Sequence, residues 1–145
     1  MMVTGLQLTH SDYARIVGHA RACLPEEACG LIAGSVPDEG GAATVRQVYL
    51  LENVDHTNEH FSMAPEEQLA AVKDMRAHGW EPLGNWHSHP ETPSRPSEED
   101  KRLANDPQAA YLILSLMHAD APVLNAFSVS REKQVGRIPL FFVEG

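Results

Sequence analysis

With 145 residues, 43% of them apolar and 21% charged, the chain is long enough to bury a core without disulfides or a structural metal, and its length predicts one domain over residues 1–145. The 20 acids against 11 bases give a formal net charge of -9 with no basic run or stripe, which argues against a nucleic-acid partner. No apolar run approaches the roughly 18 residues of a membrane span, and Met1–Asp12 has neither the basic nor the apolar region of a signal peptide, so no membrane partner is expected. The two cysteines, Cys23 and Cys29, form no Cys-x-x-Cys pair, and a reducing cytoplasm is the expected compartment.

Leu6 and Leu8 alternate with polar neighbours and predict a short first strand. Thr9-x-x-Asp12 resembles a capping box, and Tyr13, Ile16, Val17 and Ala20 recur at helical spacing. A helix is therefore expected over about His10–Cys23, ended by Pro25. Glu26–Gly34 has a short apolar part with glycines and reads as a buried strand. Glu26 and Glu27 at its mouth are either a solvated pair or supply one carboxylate to a site. If the strand is regular, Glu27, Cys29 and Leu31 share a face. After a turn at Val36–Gly41, β-branched and aromatic Thr44–Leu51 predicts a strand paired with the one before. Asn53–Ser62 is polar and irregular. Pro65, with Leu69, Val72 and Met75, predicts a second helix over Ala64–His78, closed by Gly79. Glu81–His89 reads as a strand and Ser97 to about Asn105 as a short helix. Ala110–Met117 reads as a strand covered on both faces. Val123–Ser130 and Val135–Val143, joined by a turn at Arg131–Lys133, complete the sheet.

Chemistry concentrates in Asn85–Asp100. Side chains alternate along a strand, so His87 and His89 point to one face. Pro90 has no N–H to donate and stops the ladder. A short loop with three prolines then leads to Ser97-Glu98-Glu99-Asp100, which has the form of a helix start. Two imidazoles and a carboxylate thus come together from two stiff elements. Two nitrogen ligands and one oxygen ligand, with a fourth position open, is the usual plan of a catalytic zinc site. Each part alone has a bland explanation. His87-x-His89 is a weak signal, and Ser97-x-x-Asp100 is close to an ordinary capping box. The joint pattern is far more specific, and Ser97 can be both cap and catalytic hydroxyl.

Other motifs compete less well. His56-Thr57-Asn58-Glu59-His60 matches H-x-x-E-H, but that motif works only on a helix. Asn53, Asp55, Thr57 and Asn58 favour turns, so a polar loop near the cleft is preferred. The zinc-deaminase pattern fails, because no Pro-Cys-x-x-Cys follows the first ligand. Cys29 or Ser88 paired with a histidine would suit nucleophilic catalysis. Neither sits on a recognisable elbow or beside a clear orienting acid. For Cys29 the role of a small buried hydrophobe is preferred. His10, His19, His78 and His118 have no partner pattern and read as surface residues.

Glu27, then His87-Ser88-His89-Pro90, then Ser97-x-x-Asp100, resembles the signature of the JAMM (MPN+) metalloproteases. The flank Pro25–Gly34 looks like the small stand-alone prokaryotic members, and the resemblance spans nearly the whole chain. It selects Glu27 over Glu26, because the family glutamate lies three residues before the glycine of Glu-x-Cys-Gly. It implies that His87, His89 and Asp100 bind Zn²⁺, one per chain, with a water in the fourth position. It also implies that Glu27 takes a proton from that water and that Ser97 hydrogen-bonds the oxyanion. The implied fold is α/β, the MPN (cytidine-deaminase-like) fold, with a curved mixed sheet flanked by helices. The implied reaction is hydrolysis of a peptide or isopeptide bond after the C-terminal glycine tail of a ubiquitin-like protein. In small prokaryotic relatives the usual partner is a sulfur-carrier protein. The short loop from Glu91 to Pro96 argues against a linkage-specific deubiquitinase. Two other function classes stay open: a metal-free MPN binding module, and a zinc hydrolase of a small amide or cell-wall peptide.

Overall fold

The computed structural model describes residues 3–145. In chain order the elements are β1 (Gly5–Thr9), α1 (His10–Cys23), β2 (Cys29–Ser35), β3 (Ala42–Leu51), α2 (Pro65–His78), β4 (Glu81–His89), α3 (Glu98–Leu103), β5 (Ala110–Ser115), β6 (Val123–Val129), β7 (Val135–Ile138) and β8 (Leu140–Val143). The eight strands form one sheet in the order β7-β6-β5-β4-β2-β3-β1-β8. It is mixed: β4–β5, β1–β3 and β1–β8 are parallel, and the other pairs antiparallel. The predicted single strand Val135–Val143 is in fact two. Pro139 separates them, with no N–H for a ladder, and its carbonyl accepts from Leu6 N–H at 3.0 Å. Because β7 and β8 lie at opposite ends of the sheet, those ends are only two peptide steps apart, about 7 Å. The sheet must curl until they nearly meet.

The curl encloses α1. Ile16, Val17 and Ala20 on its apolar stripe pack with Leu6, Leu8, Ile32, Val48, Trp86, Leu112 and Leu114. Its start is capped by Thr9, whose hydroxyl oxygen accepts from Asp12 N–H at 2.9 Å. Across the sheet, Ala71 and Met75 of α2 pack on Leu31, Ala33 and Tyr49. Pro65 opens α2, and Gly79 closes it in the left-handed conformation, φ 71°.

One contact sets which face β4 shows to each layer. Trp86 opposes Gly30 of β2, and its indole N–H crosses that glycine to donate to Tyr49 O on β3 at 3.1 Å. The indole lies on the α1 side, edge-on to His19. His87 and His89 therefore face the opposite side. His19, expected at the surface, is half-buried, with Nε2 3.2 Å from Leu51 O. His19 lies three residues after buried Ile16 and so shares its side of the helix, which explains the difference.

A Cβ on Gly30 would stand 1.8 Å from Tyr49 O and 2.3 Å from Trp86 Nε1, whereas one on Gly18, in the exposed middle of α1, would meet nothing within 4 Å. Gly30→Ala is expected to lower stability by about 3 kcal/mol, and Gly18→Ala to raise it by about 0.5–1 kcal/mol. Urea midpoints of the two variants check this contrast. Equal midpoints would contradict it.

Candidate active site

His87 and His89 leave the end of β4 on the face opposite α1. The following loop is pinned across β5 and β6. Ser115 Oγ donates to Thr92 O, Ser94 Oγ donates to Ile113 O, both at 2.6 Å, and Asn125 Nδ2 donates to Ser94 O at 3.3 Å. This delivers Ser97 as the N-cap of α3. Its hydroxyl oxygen accepts from Asp100 N–H at 3.0 Å, and Ser97 N–H donates back to Asp100 Oδ2 at 2.9 Å. The capping box expected from sequence is complete. Its acidic member faces the histidines.

His87 Nε2 and His89 Nε2 lie 3.1 Å apart, and 3.2 and 3.1 Å from Asp100 Oδ2. Both imidazoles are buried. Two ring nitrogens aimed at each other and at one carboxylate oxygen cannot satisfy one another, since each ring offers at most one hydrogen at Nε2. A divalent cation satisfies all three. Ligand atoms about 2.0–2.1 Å from a tetrahedral zinc are about 3.4 Å apart, close to these separations. His89 Nδ1 stands 2.9 Å from Pro93 O. Donation there fixes the tautomer with a lone pair on Nε2, as a metal ligand requires. His87, His89 and Asp100 are the group of side chains among the described residues placed to hold a metal ion.

The electrostatics suit a cation held by these three side chains. Burial alone raises the Asp100 carboxyl, but the His87 and His89 rings, which donate to it when protonated, overcome burial and hold the group well below the usual carboxylate range. Burial lowers His87. Burial also opposes the charged form of His89, yet Asp100 and the Pro93 carbonyl outweigh it and raise that group.

Glu27 is 3% exposed, and its Oε1 has no hydrogen-bond partner. Burial pushes its carboxyl up to about 8; His89 opposes the rise, while Asp100 and Glu99 add to it. Glu26 is half-buried and turned to His56, Oε1 to Nδ1 3.0 Å. The predicted strand over Glu26–Gly34 begins only at Cys29. Glu27 leaves the ladder because its N–H donates to Thr57 O at 2.8 Å, and Ala28 N–H donates to Ser88 Oγ at 2.8 Å. Ser88 thus spends its oxygen on the backbone at the base of Glu27. Cys29 is wholly buried, and burial, with smaller contributions from Cys23, Glu67 and Glu27, pushes its thiol up to about 12. Neither is an activated nucleophile.

The H-x-x-E-H stretch is a loop. His56 has φ 49°, and His56 and His60 pair with separate carboxylates, Glu26 and Asp55. Sequence reasoning left that loop without a role, yet Phe61 stacks on the His87 ring at 4.7 Å between centroids, and Asn53 is buried beneath it. A cavity of about 220 Å³ opens beside the cluster, walled by Phe61, His87, Asp100, Leu103, Tyr111 and Ile113. None of its apolar lining was anticipated.

Residues 9–130 match the family described as prokaryotic homologs of the JAB domain. The chain belongs to this family. A curated relative, the CysO-cysteine peptidase of Mycobacterium tuberculosis, is 33% identical over 100 residues, 69% of this chain. The match spans 66% of that relative's length. The desampylase of Haloferax volcanii is 32% identical over 120 residues, 79% of this chain and 84% of the relative. Among solved structures, a protein from Desulfitobacterium hafniense is 47% identical, with TM-score 0.86, over 97% of this chain and 94% of its own. A JAB1/MPN domain protein from Archaeoglobus fulgidus, 18% identical, has TM-score 0.56 over 94% of this chain and 98% of its own. The curved, mixed sheet with its three helices is thus the JAB1/MPN fold.

In the metal-free protein Glu27 sets a pH trend. Its carboxyl titrates at about 8 when folded, against an ordinary 4.5. Between those values the folded state keeps a proton that the unfolded state has lost. The contribution of Glu27 to stability is therefore greatest below about 4.5 and is lost progressively as pH rises to about 8. Glu27→Gln removes that contribution. Urea unfolding after chelation, at several pH values in this window, is expected to show the variant's advantage over wild type growing with pH. A difference independent of pH would contradict the burial assigned to Glu27.

Proposed function

We propose that this protein is a zinc-dependent peptidase that hydrolyses a peptide or isopeptide bond after the glycine tail of a ubiquitin-like or sulfur-carrier protein in the cytoplasm. The observation that carries the reading is the convergence of His87 Nε2, His89 Nε2 and Asp100 Oδ2 within 3.1–3.2 Å of one another, with the buried carboxyl of Glu27 near enough to interact electrostatically with His89 and Asp100. The names CysO-cysteine peptidase and desampylase among the relatives support peptidase chemistry on such carriers.

His87, His89 and Asp100 would hold one Zn²⁺ per chain, which when bound would supply a water of pKa about 7, Lewis-acid polarisation of the scissile carbonyl and a positive charge favouring the ionised form of Glu27. Glu27 accepts the proton of the attacking water and returns it to the leaving amine. Its burial excludes competing bulk water, and its elevated affinity for a proton suits it to carry one between the two steps. Ser97 supplies a hydroxyl donor at the rim. Its cap interaction uses an oxygen lone pair and leaves the O–H free to aim at the developing oxyanion. The prolines of the 90–96 loop and its bonds to β5 keep that donor fixed relative to the histidines.

Metal analysis of the purified protein is expected to find about one zinc per chain. His87→Ala or His89→Ala should remove most of it, and replacing both His56 and His60 should not. The reverse pattern would sink the assignment. Ser97→Gly keeps a tolerable N-cap, at a cost of a few tenths of a kcal/mol, and should retain zinc. Turnover of a carrier bearing a C-terminal extension should nevertheless fall roughly a hundredfold. Full activity in that variant would reduce Ser97 to a helix cap.

A further inference from the structure

The loop between β3 and α2 gains a role from how Asn53, its second residue, is bonded. Asn53 is 5% exposed and uses every polar position it has. Its Nδ2 donates to Glu27 O and to His60 O, both at 3.0 Å. Its Oδ1 accepts from Asp55 N–H at 3.0 Å and from Ser62 N–H at 3.1 Å. Two carbonyls on one end and two N–H groups on the other leave a single orientation for the amide, since a flip would put like against like four times.

These bonds matter because Glu27 stands outside β2, so the sheet ladder does not hold it. Its two backbone polar groups both end on this loop: the N–H on Thr57 O at 2.8 Å, the C=O on the Asn53 amide. Its side chain has no anchor of its own at Oε1. The direction of the carboxyl is therefore set by its backbone, and that backbone by the loop. The same loop places Phe61 on the His87 ring and is tied to the segment after β4 by Asn58 Nδ2, which donates to Glu91 Oε1 at 3.0 Å. It thus joins the proton carrier to the metal cluster at a fixed spacing.

We infer that Asn53 is a positioning residue for Glu27: its amide closes the 53–62 loop on itself and clamps the Glu27 backbone, so that the carboxyl faces the His87–His89–Asp100 cluster. The inference rests on the reading of Glu27 as the proton carrier. It predicts a loss in the chemical step rather than in carrier binding or metal retention. A misplacement of order 1 Å at a reacting group can cost about a hundredfold in rate.

Asn53→Asp is the test. It keeps the shape and the acceptor oxygen but sets an oxygen against the Glu27 and His60 carbonyls. Zinc-loaded Asn53→Asp is expected to lose about 10- to 100-fold in kcat on a carrier with a C-terminal extension, with KM within about twofold and zinc per chain unchanged. In the Glu27→Gln background the same change should cost less than about twofold, because the group it positions is gone. Amide exchange at Glu27 should quicken at least about tenfold while Ile32 and Leu112 stay protected. If Asn53→Asp does not fold, Asn53→Ser carries the same measurements without a charge against the carbonyls. Wild-type kcat in the folded variant, or equal losses in both backgrounds, would overturn the inference. The exchange measurement needs no substrate. A wild type inactive on every glycine-tailed conjugate would refute the peptidase reading, while the Glu27 amide would still decide the role of Asn53.

Discussion

One carboxylate oxygen joins the parts of this molecule. Asp100 Oδ2 accepts from Ser97 N–H at 2.9 Å and stands 3.1–3.2 Å from the Nε2 atoms of His87 and His89. The first contact is local and belongs to a helix start. The other two span the loop from β4 to α3. An aspartate that caps a helix is ordinary; one whose capping oxygen also meets two buried imidazoles needs both elements held firmly. The curled sheet provides one support by fixing the face of β4, through Trp86 over Gly30. The bonds from Ser94, Ser115 and Asn125 provide the other, by laying the proline-rich loop against β5.

Charge and burial divide the work among the acids. Asp100 sits among donors and stays ionised. Glu27, buried with an unpaired oxygen, favours its proton. Two neighbouring carboxyls thus have opposite preferences, a pattern that suits the proposed division between a charge holder and a proton carrier. Glu26, one residue away, belongs to neither role. It turns outward to His56, and that outward pair helps hold the loop whose backbone receives Glu27.

Much of this was legible in the sequence, for identifiable reasons. Period-two alternation put His87 and His89 on one face. Ser97-x-x-Asp100 named both the cap and its acidic partner, and Pro65 and Gly79 marked the ends of α2 to within a residue. The Glu27 segment was harder to read. Its apolar composition continues into β2, and no local signal says that its N–H turns to Thr57 or that its carbonyl turns to Asn53. The split at Pro139 was visible as a proline, but not that the chain crosses there to the opposite edge of the sheet, which depends on closure of the whole curl. Asn53 carried a partial signal. Asn53-x-Asp55 is the composition of an Asx turn, and the turn is present. Its other three bonds join residues 7, 9 and 26 positions away in sequence, and no spacing rule reaches those.

Two imidazoles of β4 and the capping carboxylate of α3 are the proposed seat of a zinc ion. Zinc K-edge absorption spectroscopy of the purified, zinc-loaded protein tests it most directly, because it reads the atoms around the metal. The expected spectrum shows nitrogen and oxygen neighbours only, near 2.0–2.1 Å, with the multiple-scattering signature of two imidazoles and about four ligands in all. A sulfur shell near 2.3 Å, which would place the metal at Cys23 or Cys29, or a shell without imidazole, would contradict it.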